Sequence, residues 1–319
     1  MQGPITGFQK GGACTTYYSR QQCDASATTT AKMTDPDYFV KATLFTKKYF
    51  RDVYPAVDPR SPQLTQAGKV AIVTGAGRGI GKGIALAFAR AGAQGIVLVS
   101  RTQKNADAVR DAVKKENGAV EVLAIAADVS NEQDVERLFA AAQAKFPVIH
   151  TLVNNAGVLT SGFDAIGKVA PSTWWADFEV NIKGTFLVTS GFLKAFGAQQ
   201  KTIINLGSDS TLLPSRLSSY FSTKIGIVKL TEFIAAENPE IVAYSINPGI
   251  VPTDAVLDDF LPFAKDTADL SGGLCVYLAA KRPAYLNGRQ IYVNWDVQEL
   301  ESRAKEIVDS DKLKMKLRT

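Results

Sequence analysis

One histidine, His150, occurs in 319 residues. That scarcity argues against a histidine-based triad and against a multi-histidine metal site, so no metal is expected. Cysteine is nearly absent as well. Cys14, Cys23 and Cys275 show neither zinc-ligand spacing nor a disulfide framework. Long apolar runs are missing: Ile96–Val99 and Val148–Val153 fall far short of the ~20 residues a membrane span needs. The first residues lack the charged-then-apolar order of a secretory signal. A cytoplasmic protein without a membrane span is the expectation. Clustered basic charge is also lacking. The net charge of +5 is dispersed, apart from the modestly basic end "KLKMKLRT". Nucleic-acid binding needs a basic face, so none is expected.

What is present suits a globule with a sizeable core, at 46% hydrophobic and 21% charged residues. Residues 1–32 are rich in Gly, Ser, Thr and Gln without a hydrophobic period, and read as a disordered tail. Asp24 is the one acid there, which keeps an organelle-targeting reading open. Aromatics at helical spacing over 36–60 predict a helix ended near Pro55, hence an N-terminal helical extension over 33–66. From Lys69 strands and helices alternate. "KVAIVTG", "GIVLVSR", "EVLAIAADV", "HTLVNNAG", "TIINLGS", "IVAYSINPG" and "RQIYVNW" read as about seven strands with helices between. Repeated βα units with short connections predict an α/β, Rossmann-type doubly wound parallel sheet over 67–298, helices on both faces. A C-terminal helical tail is expected over 299–319.

The first strand runs into "TGAGRGIGKGIA" (74–85). Gly75, Gly79 and Gly81 suit a sharp turn, close approach of a pyrophosphate and tight packing of the next helix. That helix offers free N–H groups and a partial positive charge to phosphates. A glycine turn with no ligand is the bland alternative, made poor by the strand before and the helix after. The second strand ends "VLVSRTQKN", with Ser100 and Arg101 where an acid would select NAD. Arg78 is a second cation. Arginine pairs with phosphate bidentately, so the expectation is NADP(H) rather than two merely solvated arginines.

"SSYFSTKIG" (218–226) puts Tyr220 four residues before Lys224, on one helix face. By itself this is a two-letter pattern that recurs by chance. Its surroundings change that. The glycine loop, Asp128 in "AADV", "NNAG" (154–157), Asn181 in "FEVNIKGTF", the trio Ser208, Tyr220 and Lys224, and "NPGIVPT" (247–253) occur in the order of the short-chain dehydrogenase/reductase family, which the chain resembles over about 67–298. The end "NGRQIYVNWDVQEL" and the lead-in 36–65 look similar to fungal members.

The resemblance implies roles residue by residue. Gly75, Arg78, Gly79, Ile80 and Gly81 would hold the cofactor phosphates, with Ser100 and Arg101 at the adenosine ribose. Asp128 and Val129 would border the adenine. Asn154, Asn155, Ala156 and Gly157 would end the fourth strand beside the cofactor. Pro248, Gly249, Ile250 and Thr253 would hold the nicotinamide carboxamide. Tyr220 would be the general acid/base, Lys224 its charge partner and ribose ligand, and Ser208 the group that orients the substrate oxygen. Asn181 would kink or hydrate its helix so that water reaches Lys224. Ser208 precedes Tyr220 by twelve residues, where the family commonly has thirteen, and Ser210 is a competitor. Ser208 is preferred because it directly follows the apolar strand. Asp209 either floors the pocket or faces water.

Segments 158–168, 209–216 and 250–268 should face substrate. Leu159, Leu212, Leu213, Val256, Leu257, Phe260, Leu261 and Phe263 favour a fairly lipophilic ketone or alcohol. Trp174, Trp175 and His150 read as structural. The leading expectation is an NADPH-dependent carbonyl reductase or alcohol dehydrogenase, as a homodimer or homotetramer. A catalytically silent NADP-binding regulator and an enone or imine reductase are the other readings.

Overall fold

The structure, a computed structural model, describes residues 35–160, 164–197, 200–209, 216–254 and 256–317. The expectations for residues 1–32, Ser210, Leu212 and Leu213 lie outside the described residues.

The core elements alternate as the sequence pattern requires. They are β1 Val70–Thr74, α2 Gly79–Arg90, β2 Gly95–Ser100, α3 Gln103–Glu116, β3 Glu121–Ala126, α4 Glu132–Lys145 and β4 Thr151–Asn154. Then follow α5 Pro171–Phe178, a π-helical turn Glu179–Gly184, α6 Thr185–Phe196, β5 Thr202–Leu206, α7 Ser218–Glu237, β6 Val242–Asn247, α8 Ala268–Lys281 and β7 Arg289–Tyr292. A short α1, Tyr38–Ala42, precedes them. Two helices close the chain, α9 Val297–Ser302 and α10 Ala304–Asp309.

The seven strands form one parallel sheet in the order β3-β2-β1-β4-β5-β6-β7. Every residue of β1, β2, β4 and β5 is buried, because helices cover both faces. Side chains alternate between two cores. Val73 and Leu98 pack with Phe88 of α2, Val109 of α3 and Leu274 of α8. Ile72 and Val97 pack with Leu138 of α4, Val188 of α6 and Ile234 of α7. Local signals start three of the helices: Thr102, Asn131 and Thr267 accept hydrogen bonds from Asn105, Asp134 and Leu270 N–H groups.

The helix expected over 36–60 shrinks to the five residues of α1. Three prolines, Pro55, Pro59 and Pro62, break the following stretch, and its aromatics fill separate sites instead of one helix face. Phe39 meets Phe263 edge-on at 4.8 Å, Phe45 lies against Trp295 at 5.6 Å, and Phe50 stacks on Tyr54 at 3.6 Å. Tyr54, Val57 and Leu64 join the core of the sheet domain, so residues 35–66 are part of it. The C-terminal tail is helical only through Asp309.

Small residues let α2 and α8 touch. A Cβ built on Gly272 would lie 2.6 Å from Ala87 Cβ and 2.9 Å from the Gly83 carbonyl. Gly272→Val should overpack this seam and destabilise by about 2–3 kcal/mol. A urea midpoint equal to wild type would show that the helices part without cost.

Candidate active site

Strand order reverses between β1 and β4, and in open α/β sheets ligands bind at the carboxyl ends of strands flanking such a point. The turn after β1 is built there. Gly75 and Gly79 have φ of +63° and +55°, the left-handed region where glycine is at home. A Cβ on Gly81 would lie 2.3 Å from the Gly75 carbonyl oxygen. Asn155 fastens the turn: its Nδ2 donates to the Thr74 and Gly75 carbonyls at 2.8 and 3.1 Å. Thr74 Oγ1 accepts the Asn155 and Ala156 N–H groups at 3.0 and 3.1 Å. The twelve-residue α2 then starts with no side-chain cap from Arg78. Its first N–H groups have no intrahelical acceptors, a donor set that fits an anionic pyrophosphate.

Around this turn stand the remaining cofactor candidates. Ser100 is buried at the end of β2, and a Cβ on Gly77 would lie 2.5 Å from its Oγ. Arg101 is exposed beside it. Arg78 pairs with Asp254 at 2.6 Å, both largely exposed. A Cβ on Gly79 would sit 3.2 Å from Thr253 Cγ2, so the glycine turn touches the loop after β6. Asp128 closes a turn by accepting the Ser130 N–H and hydroxyl at 2.9 and 2.6 Å. Val129 is buried against Gly184. In the loop after β6, Ser271 Oγ donates to the Pro248 carbonyl, and Ile250 N–H donates to Asp266 Oδ2 at 2.7 Å. The Ile250 amide, expected to face the carboxamide, is thus engaged by a buried carboxylate.

Ser208, Tyr220, Lys224 and Asn181 meet at the ends of β4 and β5. Ser208 lies beside the Tyr220 phenol, where its hydroxyl favours the phenolate. Lys224 is buried; its Nζ donates to the Leu206 carbonyl at 2.8 Å and lies 5.6 Å from the Tyr220 ring centroid. Asn181 sits in the π-helical turn. It clasps Val158, accepting its N–H at 2.8 Å and donating to its carbonyl at 2.9 Å, and donates to Thr223 Oγ1 at 3.0 Å. Asn181 Oδ1 and Lys224 Nζ converge on Gly157, at 3.2 and 3.4 Å from where its Cβ would be. Beneath, Asn154 donates to Thr189 and Asn205, and Asn205 to Thr231, forming a buried polar ladder.

Burial dominates the electrostatics. It pushes the Tyr220 phenol up to about 12, with the Ser208 hydrogen bond opposing and Asp177 adding to the rise. Burial alone lowers the Lys224 ammonium to about 8. His150 stands at the opposite edge, at the start of β4, and accepts the Val70 N–H at 3.2 Å.

The described residues hold no group of His, Cys, Asp and Glu suited to a metal ion. The family model for short chain dehydrogenases matches residues 69–260. The chain belongs to the short-chain dehydrogenase/reductase family. A short chain dehydrogenase of Monascus purpureus, mpl6, is 35% identical over 280 residues, covering 85% of this chain and 95% of that protein. The andI short chain dehydrogenase of Emericella variicolor is 33% identical over 285 residues, covering 86% and 96%. Among solved structures, a 3-ketoacyl-(acyl-carrier-protein) reductase from Brucella melitensis complexed with NADH shares 28% identity at a TM-score of 0.64, covering 72% of this chain and 98% of that one. The family is one of oxidoreductases that use a nicotinamide cofactor.

In this short-chain dehydrogenase/reductase, further residues hold the candidate site together, some of which the sequence pattern did not single out. Asp177 is fully buried and accepts the Thr160 N–H and hydroxyl, both at 2.7 Å, and the Ser219 hydroxyl at 2.5 Å. It ties the loop after β4 to the residue preceding Tyr220. Its signal was an acid amid the aromatics of "WWADF". Asp209 does not face water: it is buried and accepts the Tyr292 hydroxyl at 2.9 Å. Gln290 Nε2 donates to the Ser208 carbonyl. Two residues of β7 thereby hold Ser208 and Asp209 just after β5. Trp174 Nε1 donates to Ser218 Oγ at 3.0 Å, so it links α5 to α7 as well as packing on Phe178. Phe263 is buried against Phe39, which removes it from the expected substrate wall.

The lowered Lys224 value has a measurable sign. Unfolded, the ammonium keeps its proton up to an ordinary 10.5; folded, it loses it near 8. Between those values the unfolded chain binds more protons, so this residue makes stability rise with pH. Below the window the buried charge costs on the order of 3 kcal/mol. Lys224→Met should therefore gain stability relative to wild type at neutral pH, and that gain should shrink across the window. A pH-independent difference in unfolding free energy would refute the shift.

Proposed function

We propose that the protein is an NADPH-dependent oxidoreductase that reduces a carbonyl of a fairly lipophilic small molecule, or oxidises the corresponding secondary alcohol. The observation that carries this reading is the buried Lys224 Nζ, anchored on the Leu206 carbonyl and 5.6 Å from the Tyr220 ring, with Ser208 beside the phenol and an uncapped helix N-terminus across the carboxyl edge of the sheet.

A bound nicotinamide supplies the hydride for reduction and accepts it in the reverse direction. Gly75, Gly79, Ile80 and Gly81 hold its pyrophosphate at the start of α2. Asp128 and Val129 border the adenine side, and Asn155, Ala156 and Gly157 support the nicotinamide end. Pro248 and Gly249 shape the opposite wall, where Thr253 is the candidate for the carboxamide. Ser208 positions the substrate oxygen and donates a hydrogen bond to it as charge develops. Tyr220 gives that oxygen its proton, or takes it in oxidation. With its phenol held near 12 in the structure, Tyr220 is protonated at neutral pH, the form a proton donor needs. As a base it requires positive charge nearby, which Lys224 and an oxidised nicotinamide ring provide. Asn181 shapes this corner by holding Val158 and by placing the π-helical turn.

The NADPH preference rests on Ser100 and Arg101 at the end of β2. Arg78 adds a second cation. Its exposed pair with Asp254 is worth at most ~1 kcal/mol and is easily exchanged for a phosphate. Leu159, Val256, Leu257, Phe260 and Leu261 supply an apolar lining. Phe186 on α6 and Phe233 on α7, 56% and 54% exposed, suit an interface in a homodimer or homotetramer. No helix among the described residues is long and apolar enough to cross a membrane.

Loss of NADPH absorbance against a panel of ketones tests the activity. Cofactor binding without turnover of any carbonyl would favour a silent regulator. Tyr220→Phe should lower kcat at least 1,000-fold, on the order of 4 kcal/mol of barrier, with cofactor affinity kept within a few-fold. Arg101→Asp should shift the NADPH/NADH ratio of kcat/KM toward NADH by ten-fold or more; an unchanged ratio would overturn the cofactor assignment.

A further inference from the structure

The family model stops at residue 260 and begins at 69, yet a buried ion pair joins residues on either side of it. Asp266 is buried, and its two oxygens have different tasks. Oδ2 accepts the Ile250 N–H at 2.7 Å, and a Cβ on Gly249 would lie 2.3 Å from it. Gly249 has φ of +74°, so the turn is fitted around this carboxylate. The Asp266 N–H donates back to the Ile250 carbonyl at 3.2 Å. Oδ1 accepts a hydrogen bond from Asn294 Nδ2 at 2.6 Å and forms an ion pair with Arg51, whose Nε lies 2.8 Å away. Arg51 is itself anchored: Nη1 pairs with Asp37 at 2.8 Å and Nη2 donates to the Phe263 carbonyl at 2.7 Å. Tyr49 Oη also donates to Asp37, at 2.8 Å.

A carboxylate taken out of water needs compensation, and here the charge comes from the N-terminal extension. Burial pushes the Asp266 carboxyl up, and Arg51 works against that. We propose that Arg51 is a positioning residue for the active site: paired with Asp266, it fixes the Gly249–Ile250 turn and so sets the affinity for the nicotinamide cofactor. The extension is then a working part of the site. This rests on the reading that the 248–253 turn lines the cofactor cleft. The fungal relatives match over 280 and 285 residues, more than the family model covers, as a shared use of the flanking segments requires.

The test measures NADPH dissociation constants by fluorescence titration, with unfolding midpoints, on the full chain. Arg51→Met should weaken NADPH binding at least ten-fold, appear as a raised KM for NADPH more than a lowered kcat, and be partly rescued in Arg51→Lys. Arg51→Met leaves an uncompensated buried carboxylate, which itself endangers folding. The double variant Arg51→Met/Asp266→Asn removes the charges together; it should recover much of the midpoint while binding NADPH as weakly as the single variant. Leu64→Ala, in the same extension but away from Asp266, controls for lost stability and should keep wild-type affinity. Wild-type affinity in the folded double variant, or equal weakening in Leu64→Ala, would overturn the proposal. Failure of the wild-type chain to bind NADPH or NADH would instead overturn the cofactor-site reading, and this inference with it.

Discussion

The fastening of β1 to β4 by Thr74 and Asn155 is the constraint on which the site depends. The strand order reverses between these two strands, so the helices leave the sheet in opposite directions and a crevice opens above them. Asn155 spans that crevice at its base, holding the Thr74 and Gly75 carbonyls, while Thr74 holds the next two amides. A glycine turn with two left-handed residues has few restraints of its own. The amide of Asn155 fixes its shape, and with it the direction in which the first N–H groups of α2 point.

The reacting side of the crevice is held by buried polar groups. Asn154, Asn205 and Thr231 tie β4 and β5 to α7, and Asp177 ties the loop after β4 to Ser219. Each contact orients the helix that carries Tyr220 and Lys224. Burial by itself disfavours both charged forms of this pair, which keeps the phenol protonated and the amine easily neutralised.

Segments flanking the sheet, 45–51 and 290–303, meet at the same wall. Phe50 and Asn294 exchange backbone and side-chain hydrogen bonds, Tyr49 bridges to Trp295, and Arg303 stacks on Phe45 at 3.6 Å. From this junction Tyr292 and Gln290 reach the loop after β5, while Arg51 reaches Asp266, which accepts the Ile250 N–H of the turn after β6. The serine and the Pro-Gly turn are therefore set by residues remote from them in sequence.

Much of this was legible without coordinates. The seven strands and the Gly75 turn rest on short-range physics, apolar runs for strands buried on both faces and glycine where φ is positive, whereas Ser208, Tyr220 and Lys224 stood out through the order of motifs shared with the family. The helix expected over 36–60 failed because aromatic spacing cannot tell one helix face from side chains that separately fill distant clefts. Asp177 and Asp266 read in sequence as ordinary acids, and Asp209 as either a pocket floor or a solvated residue. Their burial is a property of what surrounds them, and the partners lie 16 to 215 residues away. The sequence alone determined the fold and where the candidate side chains stand on it, since strand and helix order follow from local patterns. Only the tertiary structure decided which carboxylates are held out of water and what they hold in place, because burial and pairing exist only once distant segments pack.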